Sequence, residues 1–442
     1  MAVFRTTLHD GLAPMRKGMK NRVSSAHATA VATVPAVTAP RPQQLAAVPA
    51  VTPSAQLKPA APPKPTSLYF VNAFVDYGVI GGLSIVTYLV LRFGLDNERY
   101  SAGITLAAML AWVCNWPHFS ATSYRLYHSR DNIMQYPLTA LVVPWFILAG
   151  MIGAIMSPGV IAPYFVKLFF WWSAYHFCGQ TFGITMIYAR RAGFPIGRWE
   201  RFGLSTFIYG SFLVSASRGE VIPAGGTGIN EFYGIKYQAL GLPEALPTIF
   251  QGIMWVGGAL FLVLAIRWAL EKKRTLPPII LVPAAAQYIW FVLGAGWLSF
   301  SEFVPFFHCM QYLLIAWSMQ LKEKMDLQHI APSTKYVVGE SLRWGFFNML
   351  GGAVLFFFFP LVTWALVQRV SSADFLAGMR ELIVNQSAPG TPGLAFYIGV
   401  TIVAVQIHHF FVDGVIWKLK RKSVASPLMV NLSDMLDPAT AR

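Results

Sequence analysis

Residues 394–418 read LAFYIGVTIVAVQIHHFFVDGVIWK. At about 1.5 Å of helical rise per residue, this run is long enough to cross a bilayer core of about 30 Å. Asp413 is its only acid and Lys418, at the far end, its only base. Two adjacent histidines, His408 and His409, sit inside it. The stretch therefore decides two things: the chain spans a membrane, and it carries ionisable groups where they are expensive.

Comparable apolar runs recur over 69–93, 101–123, 137–156, 162–188, 202–217, 247–269, 276–298, 302–321 and 344–368, which with 394–418 predicts about ten spans. The expected fold is an all-α polytopic transmembrane bundle. Composition agrees: 55% of residues are hydrophobic and 12% charged, against about 25% charged in a soluble chain. Mean hydropathy is +0.51.

Basic residues mark the sides. They cluster before the first run (Arg16, Lys17, Lys20, Arg22), then after the second (Arg125, Arg130), fourth (Arg190, Arg191), sixth (Lys272, Lys273), eighth (Lys322, Lys324) and tenth (Lys418, Lys420). The alternate loops are poor in Lys and Arg or balance them with acids. The positive-inside rule then predicts both termini in the cytoplasm. This also accounts for the net charge of +15 without nucleic acid. No ATP-binding signature or nucleic-acid motif is present.

Three regions are expected. Residues 1–66, rich in Ala, Pro, Val, Ser and Thr with Asp10 as the only acid, read as a disordered basic cytoplasmic tail touching anionic lipid. Residues 67–421 form the membrane domain, and 422–442 a short cytoplasmic tail. The acid-poor opening also fits a mitochondrial transit peptide, but a bacterial cytoplasmic membrane is the preferred location. Cys114, Cys178 and Cys309 all fall within predicted spans, so no disulfide framework is indicated and small-hydrophobe behaviour is expected.

Candidate chemistry lies in His118, His176, His308, His408 and His409, on four even-numbered spans that all run from outside to cytoplasm. Each span has a polar neighbour one turn later: Thr122 after His118, Gln180 after His176, Gln311 or Tyr312 after His308, Asp413 after His409. Asp76 adds a buried carboxylate on the first span. Pro117 precedes His118 and should kink its helix. Neutral imidazoles suit iron, copper or zinc, and a second nitrogen held by an acceptor would orient each ring. The candidate metal ligands are His118, His176, His308, His408, His409 and Asp413, with Asp76, Gln180 and Gln311 as further buried polar groups. His9 and His27 fall in the tail, and His128 and His329 beyond span ends, so none of these four is expected to join.

The histidine spacing lacks the HxxxH and HxxHH boxes of membrane desaturases and hydroxylases. His409-x-x-x-Asp413 with the scattered His118, His176 and His308 resembles in style the Brp/Blh-type beta-carotene dioxygenases, polytopic proteins in which histidines on several helices hold one iron. The blocks HFSATSYRLYHSR, YHFCGQTFG and HHFFVDGVIWKLK are similar to those of uncharacterised bacterial membrane proteins. The resemblance implies a non-haem iron oxidoreductase or oxygenase acting on a lipid or isoprenoid. Trp171, Trp172, Tyr175 and Phe177 crowd His176 and suit a lipid-soluble substrate. Two other expectations stand beside it: a non-catalytic subunit or scaffold with polar helix contacts, and a proton-coupled transporter titrating Asp76, His176 and Asp413.

Overall fold

The computed structural model describes residues 68–94, 97–328, 333–368 and 392–417. The chain divides between Ala60 and Ala61, and all described residues lie in the second unit. The expected tails, 1–66 and 422–442, fall outside the described residues. About 81% of what is described is helical, so the all-α class holds.

In chain order the helices are α1 (Ala73–Phe93), α2 (97–127), α3 (Arg130–Gln135), α4 (Leu138–Met156), α5 (Ile161–Arg191) and α6 (Arg198–Glu220). A hairpin, β1 (Ile229–Phe232) and β2 (Ile235–Gln238), follows. Then come α7 (Ala245–Lys272), α8 (Val282–Leu293), α9 (Leu298–Ser301), α10 (Val304–Gln328), α11 (Thr334–Gln368) and α12 (Pro392–Ile416).

Among the described residues, five helices are long and apolar enough to cross a membrane: α1, α4, α7, α11 and the Leu394–Ile416 part of α12. Helices α5, α6 and α10 are long as well, at 31, 23 and 25 residues, but more polar. The run 276–298 is not one continuous helix. Pro278–Ile280 forms a 3-10 turn, α8 follows, and the chain leaves helix at Gly294. The consecutive prolines Pro277 and Pro278 cannot donate backbone hydrogen bonds, which explains the late start.

Prolines inside the helices have a consistent answer. Pro117, Pro144 and Pro360 each lie two residues after a π turn: Ala111–Asn115, Leu138–Val142 and Val354–Phe358. A proline ring collides with the carbonyl four residues back, here Val113, Ala140 and Phe356, the middle residue of each π turn. The wider turn absorbs that collision and the missing N–H. In α2 the adjustment ends immediately before Trp116-Pro117-His118, so the expected kink is a π turn that sets the rotation of His118.

The 218–246 segment, between the apolar runs 202–217 and 247–269, contains the hairpin. Ile229 pairs with Gln238 and Phe232 with Ile235, across a turn in which Tyr233 (φ 49°) and Gly234 (φ 78°) both have positive φ. Two successive positive φ values suit the twist of a two-residue hairpin. Buried Ile235 and the exposed Tyr233 close on Gly399 of α12, where an added Cβ would lie 2.8 Å from that of Tyr233.

Contacts at the two ends fix helix direction. At the hairpin end, Lys167 near the start of α5 donates to the Gln238 carbonyl, and Gly399 marks the start of α12. At the other end, Arg125 of α2 pairs with Glu323 of α10 at 3.0 Å, and its guanidinium lies 5.5 Å from the ring centre of Trp417, just past α12. Helices α2, α5, α10 and α12 thus run in one direction.

Candidate metal centre

Those four parallel helices each contribute one histidine to a single point. His118 (α2), His176 (α5), His308 (α10) and His409 (α12) offer ring nitrogens that all lie within 4.8 Å of one another. His118, His308 and His409 are at most 2% exposed. His118 Nε2 is 2.8 Å from His409 Nε2, which is 3.2 Å from His176 Nε2.

Packing holds the rings. Phe177 stacks on His308 at 3.8 Å between centroids, Phe119 packs at 4.4 Å from His409, and Phe410 at 4.8 Å from His176. The helix backbone approaches closely too. A Cβ on Gly352 of α11 would sit 2.6 Å from the Trp116 backbone, so only glycine lets α11 press against α2 at the level of His118.

Asp413 stands just outside the ring nitrogens. Its Oδ2 lies 3.4 Å from His409 Nε2 and 3.6 Å from His176 Nε2, beyond normal hydrogen-bond length. Its Oδ1 accepts from Thr122 Oγ1 at 3.2 Å and from Trp417 Nε1 at 3.3 Å. Thr122 Oγ1 is also 2.7 Å from the Tyr312 hydroxyl. Thr122 has one hydroxyl proton, so the arrangement that satisfies all three groups has Tyr312 donating to Thr122 and Thr122 donating to Asp413.

The other expected residues go elsewhere. His408 turns away from the cluster. Its ring stacks on Tyr127, and its Nε2 is 3.0 Å from the Tyr127 hydroxyl, which donates to the Ala140 carbonyl. Neighbouring helix positions differ by about 100° in direction, so His408 and His409 cannot share one target. Asp76 caps the chain entering α1: Phe70 N–H at 2.6 Å, Val71 N–H at 3.0 Å and the Tyr188 hydroxyl at 2.7 Å all donate to it. Gln180 donates to the His308 carbonyl at 2.9 Å and to Gln311 Oε1 at 3.2 Å, while Gln311 donates at 2.5 Å to the Ile80 carbonyl. These two glutamines position the α10 backbone beside His308 without reaching the cluster themselves. The thiols of Cys178 and Cys309 donate to the Ile208 carbonyl and Asn115 Oδ1.

The four imidazoles fit a transition-metal ion on three grounds. The first is donor type, since neutral imidazole suits iron, copper and zinc alike. The second is spacing: imidazole nitrogens about 2.0–2.1 Å from one ion lie roughly 3 Å apart when bound at right angles, close to the 2.8 and 3.2 Å found. The third is proton count. A ring nitrogen has one proton or one in-plane lone pair, so His409 Nε2 can complete only one of its two imidazole contacts. His308 has no hydrogen-bond partner at either nitrogen, and His118 and His409 none at Nδ1. Buried polar groups left in that state cost about 1–3 kcal/mol each. A cation shared by the ring nitrogens that face the centre removes part of that cost.

Sequence reasoning did not foresee Trp417 as a donor to Asp413. Its position four residues after Asp413 on the same helix face was the available signal. The chain matches no protein-family model, no curated protein and no solved structure.

Proposed function

We propose that the protein is a metal-dependent membrane oxidoreductase, of oxygenase type, whose four histidines hold a non-haem iron and which acts on a lipid-soluble substrate. The observation that carries this reading is the convergence of His118, His176, His308 and His409, from four helices far apart in sequence, on one buried point. Bound there, iron would supply one-electron chemistry with dioxygen. The chain's own residues bind and orient. The Phe177, Phe119 and Phe410 rings fix the imidazole planes and keep water out. Asp413 places a carboxyl group beside the site, and the Tyr312–Thr122–Asp413 chain can hold and pass a proton next to it.

The same proposal includes topology. We take the chain to cross the membrane about ten times with both termini cytoplasmic, in a bacterial cytoplasmic membrane. The polar helices α5, α6 and α10 then cross as interior members of the bundle. Ion pairing of Arg125 with Glu323 and of Lys324 with Glu340 at one end agrees with the basic loops being on one side.

Metal analysis of the detergent-purified protein, with an optical spectrum to test for haem, decides the question. Near-stoichiometric iron is expected, lost on changing any of His118, His176, His308 or His409 to Ala and retained in His408→Ala. Metal-free protein after expression in iron-replete medium, or equal loss in His408→Ala, would refute it.

A further inference from the structure

A cleft of about 520 Å³ opens between α5 and α12 and reaches the cluster at His176, Asp413 and Tyr312. That volume lies within the range of about 300–1,000 Å³ usual for small-molecule sites. Trp172, Tyr175, Tyr209, Phe410, Phe411 and Trp417 supply aromatic walls. Tyr175 is 50% exposed, so the cleft is open at its side.

Three glycines make its floor: Gly179 and Gly183, one turn apart on α5, and Gly414 on α12. They differ from the glycines that permit helix packing. A Cβ on Gly352 would strike Trp116, and one on Gly203 would strike Gly257. A Cβ on Gly183 or Gly414 meets nothing within 4 Å, and on Gly179 only the Tyr209 hydroxyl at 3.8 Å. These three leave room rather than allow contact.

Charge narrows the occupant. Among the described residues no Lys or Arg lines the cleft, and the only acid there is Asp413. Arg125, 5.5 Å from the Trp417 ring centre, is paired with Glu323. A carboxylate or phosphate would enter with no Lys or Arg to pair with, which a largely dry site penalises. The Tyr175 and Tyr209 hydroxyls serve a neutral oxygen instead.

We infer that this cleft is the substrate slot of the metal site and that it takes a neutral long-chain lipid, an alcohol, aldehyde, ketone or hydrocarbon, in preference to a fatty-acid anion or a phosphate ester. The inference rests on the proposed metal chemistry for what happens in the slot, but not for binding to it.

The test uses the full-length protein in detergent and its tryptophan fluorescence. Bromine quenches only at close range, and Trp172 and Trp417 line the cleft. Dibrominated octadecanol should quench saturably. Dibrominated octadecanoate, at a pH where it is ionised, should bind at least about tenfold more weakly. Gly183→Leu and Gly414→Leu should each weaken alcohol binding at least about tenfold while keeping wild-type metal content. Trp172→Phe should lower the quenching amplitude, which keeps the test valid if one leucine variant fails to fold. Equal affinity for acid and alcohol, or wild-type binding in both leucine variants, overturns the inference. His409→Ala separates the two readings: it should lose metal and still show the quenching. Metal-free wild-type protein with this binding pattern would refute the metal centre and uphold the slot.

Discussion

Gly352→Ala should damage the histidine cluster from outside it. The added Cβ would lie 2.6 Å from the carbonyl carbon, oxygen and Cβ of Trp116, where ordinary contact begins at 3.4 Å. Two of those three atoms are backbone, so no side-chain rotation relieves the collision. Helices α2 and α11 must separate by up to about 0.8 Å, and His118 is two residues from the point of contact. Overpacking of this kind costs about 1–3 kcal/mol. Metal sites hold their ligand distances to about 0.2 Å, so a displacement several times larger removes His118 as an effective ligand. Thermal unfolding in detergent should shift down by several degrees, on the order of 2–4 °C per kcal/mol for a chain of this size. Metal content should fall together with it. Gly345→Ala on the same helix, where an added Cβ meets nothing within 4 Å, should change neither quantity. Wild-type unfolding temperature and metal content in Gly352→Ala would refute the account of how α11 positions α2.

Four further outcomes follow from the same geometry. Asp76→Ala strands the Phe70 and Val71 N–H groups and the Tyr188 hydroxyl, at a cost of about 3 kcal/mol or more, with metal content unchanged at a temperature where the variant is folded; loss of metal without loss of stability would contradict its capping role. Asp413→Asn keeps an oxygen for Thr122 and Trp417 but removes the second carboxyl oxygen beside the cluster, so chelator competition should show metal affinity about 10–100-fold lower with the site still filled at saturating metal; a variant that never fills would make Asp413 a ligand. Glu220 closes α6 beyond the apolar stretch. Burial acts to raise its carboxyl pKa, but the Lys167 ammonium and the Trp171 and Leu240 N–H groups outweigh it and hold the carboxyl below the usual glutamate range. Its contribution is therefore complete at neutral pH and lost as pH falls through and below about 4.3; the unfolding temperatures of wild type and Glu220→Gln should converge there, and parallel pH profiles would count against the pairing. His408→Ala should cost no more than about 0.5–1.5 kcal/mol, the loss of its Tyr127 contact, measured by the same unfolding assay.

How much of this was legible in the sequence depends on what kind of cause each feature has. The expense of burying an imidazole in hydrocarbon acts on residue type and position, so His118, His176, His308 and His409 stood out without any structure. Helix direction followed as readily, because basic loops record it. Rotation about the helix axis did not. Val113 carries its carbonyl in a π turn ahead of Pro117, and that extra residue per turn shifts every later side chain of α2 relative to a regular helix. The sequence says that Pro117 must disturb the helix, but not whether by a bend or by the π turn that the structure shows. The Tyr233–Gly234 turn lacks the Asn-Gly or Asp-Gly signal of a two-residue hairpin, so nothing local in the sequence announces it.

Asp76 shows a second kind of gap. Its burial was evident from its place in an apolar run, and the cost of an isolated carboxylate there suggested a titrating or ligating role. Neither considers the few residues before α1, where the chain turns and the Phe70 and Val71 N–H groups need acceptors. A carboxylate with three donors is a capping group. Asp413 presents the opposite balance: one oxygen is committed and the other faces ring nitrogens at distances too long for a hydrogen bond. Two buried acids of similar appearance in sequence thus divide by their donors, one fixing the fold and the other left with an oxygen directed at the histidine cluster.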